Sequence, residues 1–270
     1  MSEGVGRDAF MSAAEHFGEE VRALRESKGM SQVAFATEMH YKQAQISKVE
    51  NGTVLASEAF ASAMDRVAGT PGVYVRLRVR LIKLGHPSWF RPYVELEERA
   101  TSVRMFNPVL VPGLVQTPDY AAGVLREGRP EDLDGLVTAR IERQKILVRD
   151  RPTHLWLVLH ERALRNMVGD RAVMHAQLVR LQDLAATPVH RVQLVRDDGW
   201  QHGPMASPFG LLSFEDRADV AHVDGFPRGY VLTEPTDVQD AHDAYDLLKA
   251  MAASPDVSAE VIESILKDYA

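Results

Sequence analysis

The sequence contains no cysteine and no long uninterrupted apolar run. Without Cys the chain cannot form disulfides, thiolate zinc sites or a Cys nucleophile, and this composition suits a reducing compartment. A membrane-spanning helix needs about 20 apolar residues, and no stretch approaches that length. The first residues also lack the basic and apolar regions of a signal peptide. These absences predict a cytoplasmic protein that does not enter a membrane.

Basic residues are a minority, but the acidic excess is unevenly distributed. The chain of 270 residues has 31 Lys and Arg against 38 Asp and Glu, a net charge of −7. Residues 1–92 carry 12 basic and 10 acidic residues, which leaves 19 and 28 for the rest. A DNA-reading module needs only a local basic face, so the overall charge does not exclude DNA as a partner. The length and the 45% hydrophobic content predict two globular domains.

The N-terminal region has the apolar spacing of four short helices. Phe17, Val21 and Leu24 recur at helical intervals, and Gly29 follows as a stop signal. Ser31 is a natural N-cap for the second helix. The predicted helices cover residues 16–28, 32–40 and about 42–51, and the fourth begins near residue 57. The pattern predicts a compact all-helical module.

The second and third helices have the layout of a helix-turn-helix, in which the second helix lies in the major groove of DNA. The residues left to face or flank the groove are Gln43, Ala44, Gln45, Ser47 and Lys48. Gln pairs with adenine, Lys reaches guanine acceptors and Ala touches the thymine methyl group. Gln32 and Asn51 lie where amides can hold phosphate. Taken alone, residues 42–52 would equally suit an amphipathic surface helix with a glycine cap.

Residues 16–68 resemble the Xre/phage-repressor type of helix-turn-helix. The matching positions are Leu24-Arg25, Lys28-Gly29, Ser31-Gln32, Phe35-Ala36, Gln45-Ile46-Ser47 and Glu50-Asn51-Gly52. The resemblance implies base reading by Gln43, Ala44 and Lys48. It implies contacts to the DNA backbone by Gln32, Gln45, Ser47 and Asn51, and a structural role for Glu50.

Residues 73–85 follow a Gly- and Pro-containing break and alternate between apolar and basic side chains. This alternation suits a strand, whereas the Leu and Arg content favours a helix, which is the prediction made here. The segment 86–92 has the composition of a boundary. The predicted organisation is an N-terminal extension (1–15), a helix-turn-helix DNA-binding domain (16–88) and an α+β sensor and dimerisation domain (93–270).

The C-terminal region mixes helical and strand-like segments. Helical patterns occupy residues 93–106, 119–125, 132–147, 171–186, 236–254 and 256–270. Strand-like patterns occupy residues 154–161, 189–196, 209–215, 218–224 and 230–234. Because the last three strands follow one another closely, we expect the α+β class, with a mostly antiparallel sheet and helices against it.

Most of residues 93–254 resemble a C-terminal domain of uncharacterised function found in many actinobacterial Xre-type regulators. The stretches that carry the resemblance are 107–125, 140–144, 159–181 and 203–214. It implies a transcription regulator of development or secondary metabolism, without an established ligand. Residues 220–225 (VAHVDG) depart from the pattern, which more often has an aromatic residue and Glu there.

An enzyme is the main alternative for the C-terminal region. His160 and Glu161 are adjacent, but the sequence has no metal-ligand spacing, phosphate loop or nucleophile elbow. We therefore predict no catalytic residues, no metal and no cofactor. A protein-partner module of toxin–antitoxin type, with DNA binding serving autoregulation, is a further alternative.

The size of the C-terminal region favours a sensor for a small-molecule effector or a small protein partner. The predicted pocket is lined by Trp156, Trp200, His202, Phe209 and Tyr230. One module reads only a few base pairs, so we expect a homodimer on an inverted-repeat operator, with recognition helices about 34 Å apart.

Overall fold

The computed structural model describes residues 12–197, 207–226 and 228–269. Two compact units divide the chain: an N-terminal unit of residues 1–86 with 134–139, and a C-terminal unit of residues 87–133 with 140–270. The predicted pocket residues Trp200 and His202 lie outside the described residues.

The N-terminal unit contains five consecutive helices. They are α1 (Ala13–Ser27), α2 (Gln32–Met39), α3 (Gln43–Glu50), α4 (Glu58–Ala68) and α5 (Val73–Leu84). Their shared core includes Phe17, Phe35, Ile46, Phe60 and Met64, all of which are fully buried. The four short helices predicted from the sequence are present, and residues 73–84 form a helix as predicted.

Side-chain caps determine where these helices begin. Ser12 and Glu15 form a reciprocal capping box at the start of α1. Ser31 caps α2 and Ser57 caps α4 through their hydroxyl oxygens. Asp65 of α4 supplies the cap of α5, since its carboxylate accepts the backbone N–H groups of Tyr74 and Val75 at 3.1 Å each.

The C-terminal unit surrounds one sheet with helices. The remaining helices are α6 (Arg91–Arg99), α7 (Pro118–Arg126), α8 (Leu133–Arg143), α9 (Arg162–Arg165), α10 (Arg171–Ala185), α11 (Pro235–Met251) and α12 (Pro255–Asp268). Residues 134–139 of α8 belong to the N-terminal unit. Two short 3₁₀ helices occupy Gly113–Val115 and Gln144–Leu147.

The sheet has six strands in the order β3-β2-β1-β4-β5-β6. Their bounds are β1 (Ser102–Asn107), β2 (His154–His160), β3 (Arg191–Val195), β4 (Phe209–Ser213), β5 (Val220–Val223) and β6 (Tyr230–Leu232). β1, β2 and β3 are mutually parallel, and the other three pairings are antiparallel.

The prediction of a mostly antiparallel sheet is therefore wrong, because the sheet is mixed. The sequence pattern assigned residues 93–106 to one helix, and that range includes all of β1 except its last residue, Asn107. The helix instead ends at Arg99, and Ser102–Asn107 forms the strand between β2 and β4. Parallel neighbours require long crossover connections, and helices α7, α8 and α10 lie in these connections.

The two faces of the sheet are covered differently. One face contributes Val103, Leu157 and Leu194 to the main core, which also includes residues of α10 and α12. The other face contributes Phe106, Val158 and Leu211 to a smaller core with side chains of α11. Alternation of side chains along each strand produces this division.

Candidate nucleic-acid interface

The turn between α2 and α3 holds the two helices at a fixed crossing. His40 ends α2 in the left-handed conformation (φ 61°), and the N–H of Tyr41 donates to the carbonyl oxygen of Ala36 at 2.9 Å. Ile46 and Val49 of α3 are buried against the unit's core. The apolar side of α3 is thus fixed inward, and its opposite side faces solvent.

Close packing of α1 on α3 depends on Gly18, which the sequence reasoning did not select. A side chain at this position would collide with the backbone carbonyl oxygens of Val49 and Glu50 at the end of α3. Glycine removes that collision and lets the two backbones approach.

The solvent-facing side of α3 presents the predicted base readers. Gln43, Ala44 and Lys48 are all exposed, as is Gln45, and Ser47 is half-buried. We call Gln43, Ala44 and Lys48 the outer row of α3. The only acidic residue of this helix, Glu50, is buried, so no carboxylate of α3 faces outward. This arrangement keeps the exposed side polar to basic.

Glu50 is the centre of a buried polar network. Its carboxylate accepts from Arg25 Nε at 2.6 Å and from Arg25 Nη2 at 3.2 Å. Its Oε2 also accepts from Gln32 Nε2 at 2.9 Å. The hydrogen bond to Glu50 holds the pKa of Arg25 above its usual value, so the guanidinium of Arg25 stays charged. The implied structural role of Glu50 agrees with this geometry.

The network continues to the surface through Gln32. Gln43 Nε2 donates to Gln32 Oε1 at 2.8 Å, so Gln32 joins the buried Glu50 to the outer row of α3. An amide that donates to Glu50 with its nitrogen must present its oxygen elsewhere. The buried ion pair therefore orients the side chain of Gln43.

The other predicted contacts to the DNA backbone lie at the end of α3. Asn51 Nδ2 donates to Ser47 Oγ at 3.4 Å, and Arg22 Nη2 donates to the carbonyl oxygen of Glu50 at 3.2 Å. Arg22 belongs to α1 and is half-exposed, and the sequence reasoning did not select it. Its i, i+3 relation to Arg25 is the signal that could have identified it.

A depression of about 410 Å³ lies beside the outer row of α3. Lys42, Ala44, Gln45 and Lys48 line one side of it. The segment after α3 lines the other side, through Val54, Leu55, Ala56 and Ser57. Most of the lining is apolar, but Lys42 and Lys48 at this depression supply the positive charge that attracts DNA phosphates.

The described members of the predicted pocket lie on one face of the sheet of the C-terminal unit. Trp156 lies opposite Arg104, Phe209 opposite Phe106, and Tyr230 opposite Val223. Trp156 and Phe209 pack against the smaller core, whereas Tyr230 is 62% exposed on β6. Trp156 Nε1 donates to Gln193 Oε1 at 2.7 Å. A ligand pocket at these residues stays a prediction.

His160 and Glu161, the pair considered for catalysis, lie at the end of β2. His160 Nδ1 accepts the backbone N–H of Arg162 at 3.2 Å, and burial lowers the pKa of this imidazole. Glu161 pairs with Arg165 at 2.9 Å and lies 3.5 Å from Arg196. Each of the two side chains thus contacts neighbouring residues of the fold, and the absence of catalytic residues stays a prediction.

A second buried ion pair, absent from the sequence predictions, lies in the C-terminal unit. Arg143 donates to both carboxylate oxygens of Glu97 at 2.7 Å. The guanidinium lies 4.9 Å from the ring centre of Phe90, and the rings of Tyr93 and His222 are 4.2 Å apart beside it. Burial lowers the pKa of Arg143, but the charge of Glu97 outweighs burial and raises it above its usual value.

Comparisons with known families assign both parts of the chain. Residues 16–77 match the model of a Helix-turn-helix domain, which indicates DNA binding and transcriptional regulation. Residues 90–264 match the model described as Domain of unknown function (DUF5753). The chain belongs to the DUF5753 family. No curated protein and no solved structure matches this DUF5753 chain. Within its described residues, no helix is long and apolar enough to cross a membrane.

Proposed function

We propose that the protein is a sequence-specific transcriptional regulator that inserts α3 into the major groove of its operator. Gln43, Ala44 and Lys48 read bases, and Gln32, Gln45, Ser47 and Asn51 contact the DNA backbone. The observation that carries this proposal is the pair of hydrogen bonds that links Glu50 to Gln32 and Gln32 to Gln43. These bonds hold the side-chain amide of Gln43 in place before DNA binds. Preorganisation of this kind reduces the entropy lost on binding.

The finer parts of the proposal are kinship with the Xre type, binding as a homodimer to an inverted repeat, and sensing by the C-terminal unit. Dimerisation is supported by the small size of the N-terminal unit, because a single helix-turn-helix reads only a few base pairs. Sensing is supported by the presence of a separate α/β unit with its own cores. The effector is a small molecule or a small protein.

Selection of random double-stranded DNA by the purified full-length protein tests the proposal. The retained DNA is sequenced after washing at about 0.15 M salt, where non-specific phosphate contacts are screened. We expect an inverted repeat with half-sites about 34 Å apart, one helical turn. No enriched motif from a folded protein would contradict sequence-specific reading.

Variants of the outer row of α3 test the assignment of base readers. We expect Lys48→Ala to weaken binding to the selected site by about 1–3 kcal/mol and to relax the preference at one base pair. The matched control is Lys267→Ala, which removes the same charge from a side chain that is 73% exposed on α12. If Lys48→Ala lowered affinity equally for selected and random DNA, Lys48 would be a backbone contact instead.

A further inference from the structure

The two edge strands of the sheet in the C-terminal unit, β3 and β6, differ in the hydrogen bonds on their outer sides. At the β3 edge, the carbonyl oxygen of Leu194 accepts from the N–H of Ala253 at 2.9 Å, and the N–H of Leu194 donates to Ser258 Oγ at 3.0 Å. Gln193 Nε2 also donates to the carbonyl oxygen of Ala253 at 2.8 Å. The segment joining α11 to α12 therefore occupies this edge.

The β6 edge is open in the described part of the chain. β6 pairs with β5 on one side, and no backbone hydrogen bond of the described residues reaches its outer side. Tyr230 is 62% exposed, and Val231 and Leu232 are half-buried. Every second residue of a strand directs its N–H and C=O groups to the same neighbour. The outer side of β6 consequently offers backbone donors and acceptors to another strand.

We propose that β6 of a second copy of this chain pairs antiparallel with β6 about Val231, joining the two sheets into one. A two-fold axis through Val231 places Val231 opposite its own copy. Tyr230 then lies opposite Leu232 of the other copy, and Leu232 opposite Tyr230. Both pairs extend the sheet face that carries Phe209 and Leu211, because the sheet register aligns Tyr230 with Val223 and Leu232 with Ala221.

Charges flanking β6 select this register. Arg228 and Glu234 are exposed and lie three residues before and three residues after Val231. The structure gives neither of them an ion pair among the described residues. Pairing about Val231 brings Arg228 opposite Glu234 of the other copy, and the symmetry repeats this contact. Both residues lie just outside β6, Glu234 as the N-cap of α11, and opposite charges that face each other beyond the ends of paired strands attract.

Neighbouring registers lose this match. A two-fold axis through Tyr230 would place Arg228 opposite Leu232, and one through Leu232 would place Tyr230 opposite Glu234. Shifts by one residue would bring side chains from opposite faces of the sheet together. The identity of the flanking residues thus specifies a second copy of this chain rather than an arbitrary strand.

The inference deepens the proposed function, since it names the surface by which the regulator forms a dimer. A strand of three residues buries little area, and we expect the dimer to depend on protein concentration. DNA with two half-sites would then favour the paired state by raising the effective concentration.

Engineered disulfide formation tests the register directly. The chain has no cysteine, so Val231→Cys introduces a single thiol. Directly opposed residues in antiparallel strands have Cα atoms about 4.5–5.5 Å apart, which suits a disulfide. After mild oxidation, the Val231→Cys variant should be mainly a covalent, disulfide-linked dimer. The matched control Val148→Cys, at a valine that is 75% exposed, should stay mainly monomeric. Equal cross-linking of the two variants would overturn the proposal.

Charge reversal is the second test, and sedimentation measures it in the full-length protein without DNA. Arg228→Glu and Glu234→Arg should each weaken dimerisation by about tenfold or more, because like charges would then oppose each other. The double variant should restore the original dimerisation constant. A parent chain that is monomeric at all concentrations, or a double variant that stays as weak as the single ones, would overturn the proposal.

These outcomes are separate from those of DNA selection. A dimer through β6 with no enriched DNA motif would contradict the proposed function and support the β6 pairing. An enriched motif bound by a protein that does not dimerise through β6 would support the proposed function and contradict the β6 pairing.

Discussion

The N-terminal and C-terminal units each contain a buried Arg–Glu pair, Arg25–Glu50 and Arg143–Glu97, and these two pairs have different surroundings. In the N-terminal unit, the carboxylate of Glu50 binds Arg25 and also accepts a hydrogen bond from Gln32. In the C-terminal unit, both carboxylate oxygens of Glu97 accept hydrogen bonds from Arg143, beside the ring of Phe90. One carboxylate is linked to a surface side chain, and the other is held within the core.

The difference shows how a buried charge can act at a surface. A buried carboxylate that lacks hydrogen-bond donors lowers the stability of the folded state by several kcal/mol. Where a flexible amide such as Gln32 supplies one of these donors, its other end is fixed as well, and Gln43 is oriented. Where a bidentate guanidinium supplies them, as at Glu97, the pair joins α6 to the last residue of α8, and the hydrogen bonds of the described residues do not extend from this pair to a predicted site residue.

The largest expected effect comes from breaking the buried Glu97–Arg143 pair of the C-terminal unit. Glu97→Ala leaves Arg143 charged and buried, and we expect the C-terminal unit to lose about 3–5 kcal/mol of unfolding free energy. Urea denaturation followed by tryptophan fluorescence measures this, because all three Trp residues of the chain lie in the C-terminal unit. DNA affinity of the folded fraction should stay unchanged.

The control for this variant is the exposed pair of Arg99 and Asp216, whose side chains are 61% and 69% exposed. Asp216→Ala should change the unfolding free energy by less than about 1 kcal/mol. If Glu97→Ala also lowered the unfolding free energy by less than about 1 kcal/mol, water would have access to the site of the Glu97–Arg143 pair.

A smaller effect, on DNA binding, is expected at Glu50. Glu50→Gln keeps the shape of the side chain but removes the charge that Arg25 and Gln32 share. We expect a loss of about 1–3 kcal/mol in affinity for the selected operator, concentrated at the base pair read by Gln43. Fluorescence anisotropy on the operator and on single-base variants measures it.

The tryptophan-detected stability of the C-terminal unit should remain that of the parent in Glu50→Gln. If Glu50→Gln weakened binding to all sequences equally, Gln32 would act on the DNA backbone alone. The contrast between the two buried pairs would then reduce to a difference in stability.

The smallest expected effect is a pH dependence confined to the C-terminal unit. Burial lowers the pKa of His222, and Arg143 lowers it further, whereas Asp224 and Glu97 raise it. Because the folded imidazole resists protonation, the unfolded chain binds the extra proton once the pH falls below the ordinary value of 6.5. The unfolding free energy of this unit should therefore decrease as the pH falls through about 6.5.

Urea denaturation between about pH 7.5 and 5.5 checks this prediction, with tryptophan fluorescence as the signal. His222→Gln should reduce the slope, since glutamine does not titrate. In the N-terminal unit, burial raises the pKa of Asp65, but hydrogen bonds from Thr70, Tyr74 and Val75 outweigh burial and lower it below 3.8. The stability from Asp65 should persist until the pH falls below that value. An equal slope in His222→Gln and the parent would assign the effect to other groups.

The helices of the N-terminal unit were predictable because local signals determine them. Ser31 and Ser57 cap helices at the positions where the sequence places them. The C-terminal sheet was less predictable. Residues 102–107 contain Met and Arg, which suit a helix as well as a strand, and only pairing with β2 and β4 makes them a strand.

Local sequence patterns were enough to predict the helix-turn-helix, the outward side of α3, the division of charge between the two parts of the chain, and most of the C-terminal helices and strands. These features depend on spacing within a few residues. Three features could be seen only in the folded chain: the mixed sheet, the connection of Glu50 to Gln43 through Gln32, and the pairing of Arg143 with Glu97. Those contacts join residues from 11 to 46 positions apart. No local pattern encodes such pairings, because packing of whole helices and strands brings the partners together.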